Sequence, residues 1–209
     1  QGMKIGQLFK IPLFWVAIVL MVCAGASEIS MAQWASAYAE AALGLSKSVG
    51  DLAGPCLFAV SMGVCRVFYG KYGENVELER FMAGSGILCV ICYVLAAISA
   101  NPLVGLLGCI MCGFSVGIMW PGTISISSKN FPTGGTAMFA LLAMAGDLGG
   151  SIGPAIVGQI AQSTGGNIRI GIGAGIVFPA VLLVMVLLNK RTYKNIALAI
   201  NIFKNVLFD

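Results

Sequence analysis

Two carboxylate side chains lie inside long apolar runs of this sequence, where ionisable groups are rare. Asp147 stands within the segment Gly134–Gln162, and Glu28 stands in an apolar run that begins at Pro12. A charge in the hydrocarbon core of a bilayer costs about 2.5–3.5 kcal/mol on insertion scales, so such residues mark candidate functional sites. Each could carry a proton or accept hydrogen bonds from a polar solute. A structural hydrogen bond to a neighbouring helix is the alternative for both.

One face of the first apolar run combines aromatic and hydrogen-bonding side chains. Trp34 and Tyr38 recur there at helical spacing, and Gln33 lies beside them. Aromatic surface next to polar groups is typical of sugar sites, because an apolar sugar face stacks while its hydroxyls need fixed partners. We predict that Gln33, Trp34 and Trp120 contact a substrate. An aromatic belt at the membrane interface is the alternative, and it fits Tyr38 at least as well.

The cysteines offer a metal-like spacing in an unsuitable place. The sequence contains seven of them: Cys23, Cys56, Cys65, Cys89, Cys92, Cys109 and Cys112. The last four form two C-x2-C pairs with zinc-ribbon spacing. Both pairs lie in apolar helical runs, where thiolates would be desolvated, so we interpret all seven as small buried hydrophobes without disulfides.

Histidine is absent from the sequence, which excludes Ser-His and Cys-His catalysis as well as histidine metal sites. No nucleotide-binding motif is present either. We therefore expect a protein that is not an enzyme and that uses no cofactor and no metal.

Membrane-spanning helices are the elements that must position these residues. The sequence is 58% hydrophobic and 10% charged, against about 25% charged in an average soluble domain. A helix needs about 20 apolar residues to cross a bilayer, and these runs lack the alternation of a barrel strand. We predict an all-α polytopic membrane protein with six spans: Pro12–Ala39, Val49–Tyr69, Phe81–Ala100, Pro102–Ser127, Thr136–Gln162 and Ile168–Leu188.

Six spans with short connections place both termini on one side of the membrane. Among the lysines and arginines, only Lys47 and Arg169 fall on the other side, so the positive-inside rule predicts cytoplasmic termini. Residues 1–11 form a lead-in, residues 12–188 the six-helix bundle, and residues 189–209 a tail that fits an interfacial helix. Because the sequence begins Gln-Gly-Met, we expect a chain that was cut from a longer one or otherwise processed.

Glycine and proline in the later spans predict close packing and bending. Gly149, Gly153 and Pro154 lie in the fifth span, and Pro121 frees a backbone carbonyl in the fourth. At the start of the second span, Ser48-x-x-Asp51 fits a capping box, so we interpret Asp51 as structural.

Three segments resemble the C-terminal six-helix half of a major facilitator superfamily transporter. Gly113–Ser127 resembles the tenth helix of such proteins, and Gly149-x-x-x-Gly153-Pro154 resembles the G-x-x-x-G-P motif, here in the eleventh helix. Arg66–Glu74 resembles the cytoplasmic loop motif that follows the second helix of a half. For that loop, the resemblance implies a charge cluster of Arg66, Glu74 and Arg80.

Within the superfamily, the phrases AEAALGLSKSVGDLAG and GDLGGSIGP are similar to fucose-permease-type sugar:proton symporters. The resemblance implies secondary transport of a small polar solute, a sugar, by two six-helix halves that rock about a central site. It implies an N-terminal six-helix half as a partner and a bacterial plasma membrane as the bilayer that holds the protein. The net charge of +4 is explained by the sidedness of the lysines and arginines, so we expect no nucleic-acid partner. Asp147 and Glu28 are the candidates for proton coupling or cavity polarity.

Two other classes of protein fit the same six spans. One is a membrane scaffold that transports nothing. The other is a half-size unit that acts only as a dimer or as a channel-like oligomer.

Overall fold

Six long apolar helical segments account for most of the chain in the computed structural model, which describes residues 2–188 apart from the side chains of Ala42 and Leu43. We name them spans 1 to 6: Pro12–Ala41, Lys47–Asn75, Leu78–Ile98, Pro102–Asn130, Gly135–Ser163 and Ile168–Leu188. Residues 2–188 contain no β-strand, so the predicted all-α, six-span fold is confirmed. The tail predicted as an interfacial helix lies outside the described residues.

Span 2 is longer than predicted, and its helix changes type along its length. It consists of an α-helix (Lys47–Asp51), a π-helical turn (Leu52–Cys56), a second α-helix (Leu57–Tyr72) and a 3-10 turn (Gly73–Asn75). The loop predicted from Gly70 to Arg80 is therefore helical as far as Asn75. Gly73 keeps a helical φ of −65°, and the backbone becomes extended only at Val76.

The predicted capping box at the start of span 2 is wrong. The first helix begins at Lys47, after Ser46, and no side chain caps it. The Asp51 carboxylate instead accepts a hydrogen bond from Ser36 Oγ of span 1, at 2.6 Å. Asp51 therefore links spans 1 and 2 at the end of the bundle opposite the N-terminus.

Spans 1 and 5 pack backbone against backbone through glycines. A methyl group built on Gly149 would collide with the Val22 carbonyl oxygen, and one built on Gly25 would collide with that of Gly146. At Gly153 it would come within 2.8 Å of the Ala26 Cα. Small residues permit this close approach, which brings any side chain at the margin of the contact beside the other helix.

The main core contains six of the seven cysteines, all buried, with Cys89 Sγ 3.7 Å from Cys112 Sγ. Cys56 is the exception: it is exposed on span 2, so the prediction of a buried thiol is wrong there. Only 17% of the most apolar stretch of span 2 is buried, so most of this stretch faces out of the bundle.

The helix of span 4 is interrupted near its internal proline, whereas the helix of span 5 is not. Span 4 breaks into two helices, Pro102–Val116 and Met119–Asn130, with the break one turn before Pro121. Proline lacks the N–H that would bond the carbonyl four residues earlier, which here is that of Gly117. The helix of span 5, Gly135–Ser163, runs through Pro154 without interruption.

The lead-in packs under the end of the bundle where the N-terminus lies. Met3 N donates to Thr133 O of the turn between spans 4 and 5, at 2.8 Å. Leu8 and Phe14 are fully buried in a second, smaller core with Phe131, and the Phe14 and Phe131 rings meet edge to face. Residues 3–11 are thus part of the folded unit.

Candidate functional site

A cavity of about 460 Å³ opens between four of the six spans. Its lining comes from spans 1, 2, 4 and 5, and spans 3 and 6 contribute nothing to it. The lining residues are Gly25, Glu28, Ile29, Arg66, Trp120, Gly146, Asp147, Gly150 and Ser151. The glycine contacts of spans 1 and 5 form its floor, so the packing motif and the cavity are parts of one structure.

Three side chains of the Asp, Glu, Lys and Arg types lie deep within the spans, and all three line this cavity. Asp147 is twelve residues from the nearer end of its span (135 to 147), Glu28 thirteen (28 to 41) and Arg66 nine (66 to 75). Every other Asp, Glu, Lys or Arg of the described spans lies within four residues of a span end. The cavity therefore collects the deep charges of this bundle.

These three charges are close to one another but unpaired. Arg66 and Glu28 interact electrostatically, yet neither carboxylate lies within 4 Å of a cationic nitrogen anywhere in residues 2–188. The Glu28 and Asp147 carboxylates also lack a hydrogen-bond donor in that part of the chain. Their hydrogen-bonding capacity is therefore available to an occupant of the cavity.

Arg66 reaches the cavity from span 2 and holds the break in span 4. Its Nε donates to the Gly117 carbonyl oxygen at 3.2 Å. This is the carbonyl that Pro121 leaves without its helical partner, so a side chain of another span replaces the missing backbone donor. The predicted loop cluster is therefore wrong for Arg66, because span 2 continues nine residues beyond it.

Trp120 forms the wall between this cavity and a second pocket. Its indole lies against the Gly146 backbone, since a methyl group built there would come within 2.8 Å of Trp120 Nε1. The second pocket, of about 430 Å³, shares Arg66 and Trp120 with the first and extends past Tyr69 and Leu78 toward the side of the N-terminus. Trp120, which was predicted to contact a substrate, and Arg66, which was not, thus both lie between the two pockets.

The other two predicted substrate residues do not line the cavity. Trp34 Nε1 donates to Pro154 O at 3.1 Å, and its ring packs against Gly158, so it ties span 1 to span 5. Gln33 is exposed, one residue earlier on span 1. Tyr38, for which an aromatic belt was the alternative, is fully buried against Gly105 of span 4, so a belt position is wrong.

The remaining loop charges form a local pair rather than a cluster with Arg66. Arg80 Nε lies 2.6 Å from Glu77 Oε2, and both side chains are more than half exposed. Glu74 is exposed in the 3-10 turn that ends span 2. An exposed pair of this kind contributes little to stability.

Metal chemistry has no obvious place among the described residues. No three Cys, Asp or Glu side chains of residues 2–188 are grouped so that they could hold a metal ion. The chemistry of the cavity is that of hydrogen bonds, fixed charge and one aromatic surface.

The fold and the cavity together define a polytopic membrane protein whose deep charges line one open cavity between spans. The sequence matches the family model of the Major Facilitator Superfamily over two overlapping stretches, residues 3–154 and 57–201. This chain belongs to the Major Facilitator Superfamily and is an integral membrane transporter protein. No curated protein matches the chain.

Proposed function

We propose that this chain is the C-terminal six-helix half of a secondary transporter that moves a small polar solute, a sugar, by alternating access. The observation that carries the proposal is the convergence of Glu28, Arg66, Asp147 and Trp120 on one cavity between spans. Superfamily transporters place their substrate near the bilayer midplane, where two halves meet. In this half, the corresponding wall is the one built by spans 1, 2, 4 and 5.

The chemistry of the lining supports a sugar. Two carboxylates without donors can accept hydrogen bonds from several hydroxyl groups, and the Trp120 indole offers a face on which a pyranose ring can stack. A cavity of about 460 Å³ is also of the size that small-molecule sites usually have, roughly 300–1,000 Å³.

Proton coupling is the second part of the proposal. Glu28 and Asp147 line the cavity and have no ion-pair partner in residues 2–188, so binding a proton at either breaks no ion pair there. Lysines 4, 10, 71 and 129 lie on the side of the N-terminus, which supports cytoplasmic termini. A bacterial plasma membrane is a further part of the proposal.

The test is solute uptake by the full-length transporter in proteoliposomes, across a panel of radiolabelled sugars with and without an imposed proton gradient. Asp147→Asn keeps the size of the side chain but cannot exchange a proton. We expect it to abolish uptake or to remove its response to the gradient. Asp51→Asn is the matched control, because Asp51 lies near a span end and outside the cavity.

Two outcomes would contradict the proposal. No uptake of any sugar by the unmodified transporter would remove the function. Uptake by Asp147→Asn with an unchanged proton stoichiometry would leave transport standing and remove the coupling role of Asp147.

A further inference from the structure

Arg66 is only partly explained by its contact with span 4. Its Nε donates to Gly117 O, whereas Nη1 and Nη2 have no hydrogen-bond or ion-pair partner in residues 2–188. The side chain is exposed and lines both pockets. A guanidinium group carries five N–H donors, and the hydrogen bond to the Gly117 carbonyl oxygen uses one of them. The remaining donors face the space that a solute would occupy.

An arginine at this depth is expensive, and a neutral donor could satisfy one carbonyl at lower cost. What the guanidinium adds is a planar fork that matches a carboxylate with two parallel hydrogen bonds. Glu28 interacts electrostatically with Arg66, but no carboxylate of residues 2–188 lies within ion-pair distance of it. Nη1 and Nη2, which form the fork, therefore have no carboxylate partner in residues 2–188, and Arg66 lines the cavity.

Building on the proposed function, we infer that the transported solute carries a carboxylate, which Arg66 binds through Nη1 and Nη2. The Trp120 indole then covers an apolar face of the solute, and Glu28 and Asp147 accept hydrogen bonds from its hydroxyl groups. A hexuronate combines all of these groups in one ring. An amino acid is the other common small solute with a carboxylate.

The charges of the lining are consistent with this substrate class. Two acids and one base line the cavity, and protonation of one acid leaves it neutral overall. A carboxylate that enters together with a proton then meets the Arg66 charge without net repulsion. A neutral hexose would leave the Arg66 fork without an anionic partner.

The experiment compares uptake of D-hexuronates with uptake of the matching neutral D-hexoses by the full-length transporter in proteoliposomes. We expect the unmodified protein to favour a hexuronate. Arg66→Gln should lower hexuronate uptake at least about tenfold, as loss of a charged hydrogen bond implies, and should lower neutral hexose uptake far less. Lys129→Gln, which removes an exposed charge at the end of span 4, is the control.

Loss of the Gly117 contact could by itself impair folding of Arg66→Gln, so the ratio of the two uptake rates is the readout. A folding defect lowers both rates by one factor and leaves the ratio unchanged. The double variant Arg66→Gln/Pro121→Ala returns a backbone N–H to position 121 and should show the same altered ratio. Arg66→Lys keeps the charge but lacks the planar fork, so its ratio of hexuronate to hexose uptake should lie between those of the unmodified protein and Arg66→Gln.

Each outcome has a distinct meaning. Preferred uptake of a neutral hexose, with a ratio that Arg66→Gln does not change, would overturn the inference and leave the proposed function intact. Uptake of an amino acid that depends on Arg66, without sugar uptake, would support carboxylate binding and overturn the sugar class. No uptake of any of these solutes would overturn the proposed function and this inference with it.

Discussion

At the scale of single residues, the polar and aromatic side chains of spans 1 to 5 fall into two groups. Some make hydrogen bonds between spans, and others have no such partner in the described chain. Trp34 has its indole N–H on Pro154 O and Tyr93 has its hydroxyl on Ser27 O, so both are committed to contacts between spans. Glu28 and Asp147 have no such commitment in the described chain. Trp120 is intermediate, because it packs on Gly146 and also faces the cavity.

The first prediction concerns Trp120. Trp120→Ala removes the aromatic surface of the cavity and should raise the KM for uptake at least about fivefold, since an aromatic contact is worth roughly 0.5–1.5 kcal/mol beyond the area it buries. Trp120→Phe retains a ring and should stay within about twofold of the unmodified KM. Trp15→Ala, an exposed tryptophan near the lead-in, is the control. An unchanged KM in Trp120→Ala would remove this residue from the site.

At the scale of helices, the contact between spans 1 and 5 is defined by the absence of side chains. Gly25, Gly146 and Gly149 let the two backbones touch, and Asp147 lies between two of these positions in sequence. The backbone that carries Asp147 is therefore held against span 1. Glycine here has a steric role, and φ at these positions is not positive.

The second prediction tests that steric role. Gly149→Ala places a methyl group against the Val22 carbonyl and should destabilise the bundle by about 1–3 kcal/mol. Its midpoint of thermal unfolding in detergent should fall by about 2–4 °C for each kcal/mol. Gly63→Ala is the matched helical control, because nothing lies within 4 Å of a methyl group there. Equal midpoints for the two variants would contradict the tight contact.

At the scale of the whole molecule, the six spans have unequal roles. Spans 1, 2, 4 and 5 build the cavity wall, whereas spans 3 and 6 lie outside it. Span 2 is the least buried, with its exposed side chains dominated by Val and Leu such as Leu52, Val60 and Val67. The cavity wall is thus open on one side, which fits the proposal that this chain is one half of a two-half transporter.

The third prediction follows from that open wall. Ser151→Cys, in a Cys56→Ser background, should react with a membrane-impermeant thiol reagent in the full-length transporter, because a thiol facing a water-filled cavity can ionise. A transported solute at saturation should slow the reaction. Ser85→Cys, buried in span 3, should stay unmodified. Labelling of Ser151→Cys that the solute leaves unchanged would place this residue outside the site.

Much of the architecture was predictable from the sequence, because hydrophobic length alone identifies membrane-spanning helices. The ends of the spans were less predictable. Lys71 and Tyr72 looked like loop residues, yet the helix of span 2 continues to Tyr72, since an apolar helix can extend its polar end into the interface. With the predicted span end at Tyr69, Arg66 lies only three residues from the end, so its depth in the membrane was not predicted.

The site itself was predictable only in part. Burial cost identified Glu28 and Asp147 from single positions, because a lone charge in an apolar run stands out. Whether Trp34 or Trp120 faces the cavity depends on how spans 1, 4 and 5 rotate against one another. That rotation is set by glycine contacts across distant parts of the chain, which periodicity within one helix does not encode.

The hydrogen bond from Arg66 to Gly117 gives one cationic side chain two roles. The guanidinium completes the backbone of a broken helix and also presents its free nitrogens to the cavity. A solute that binds end-on leaves the backbone contact in place, whereas one that binds side-on takes Nε away and uncaps the Gly117 carbonyl. Under the inference that Arg66 binds a carboxylate, the orientation of the bound solute therefore decides whether the Gly117 carbonyl keeps its donor.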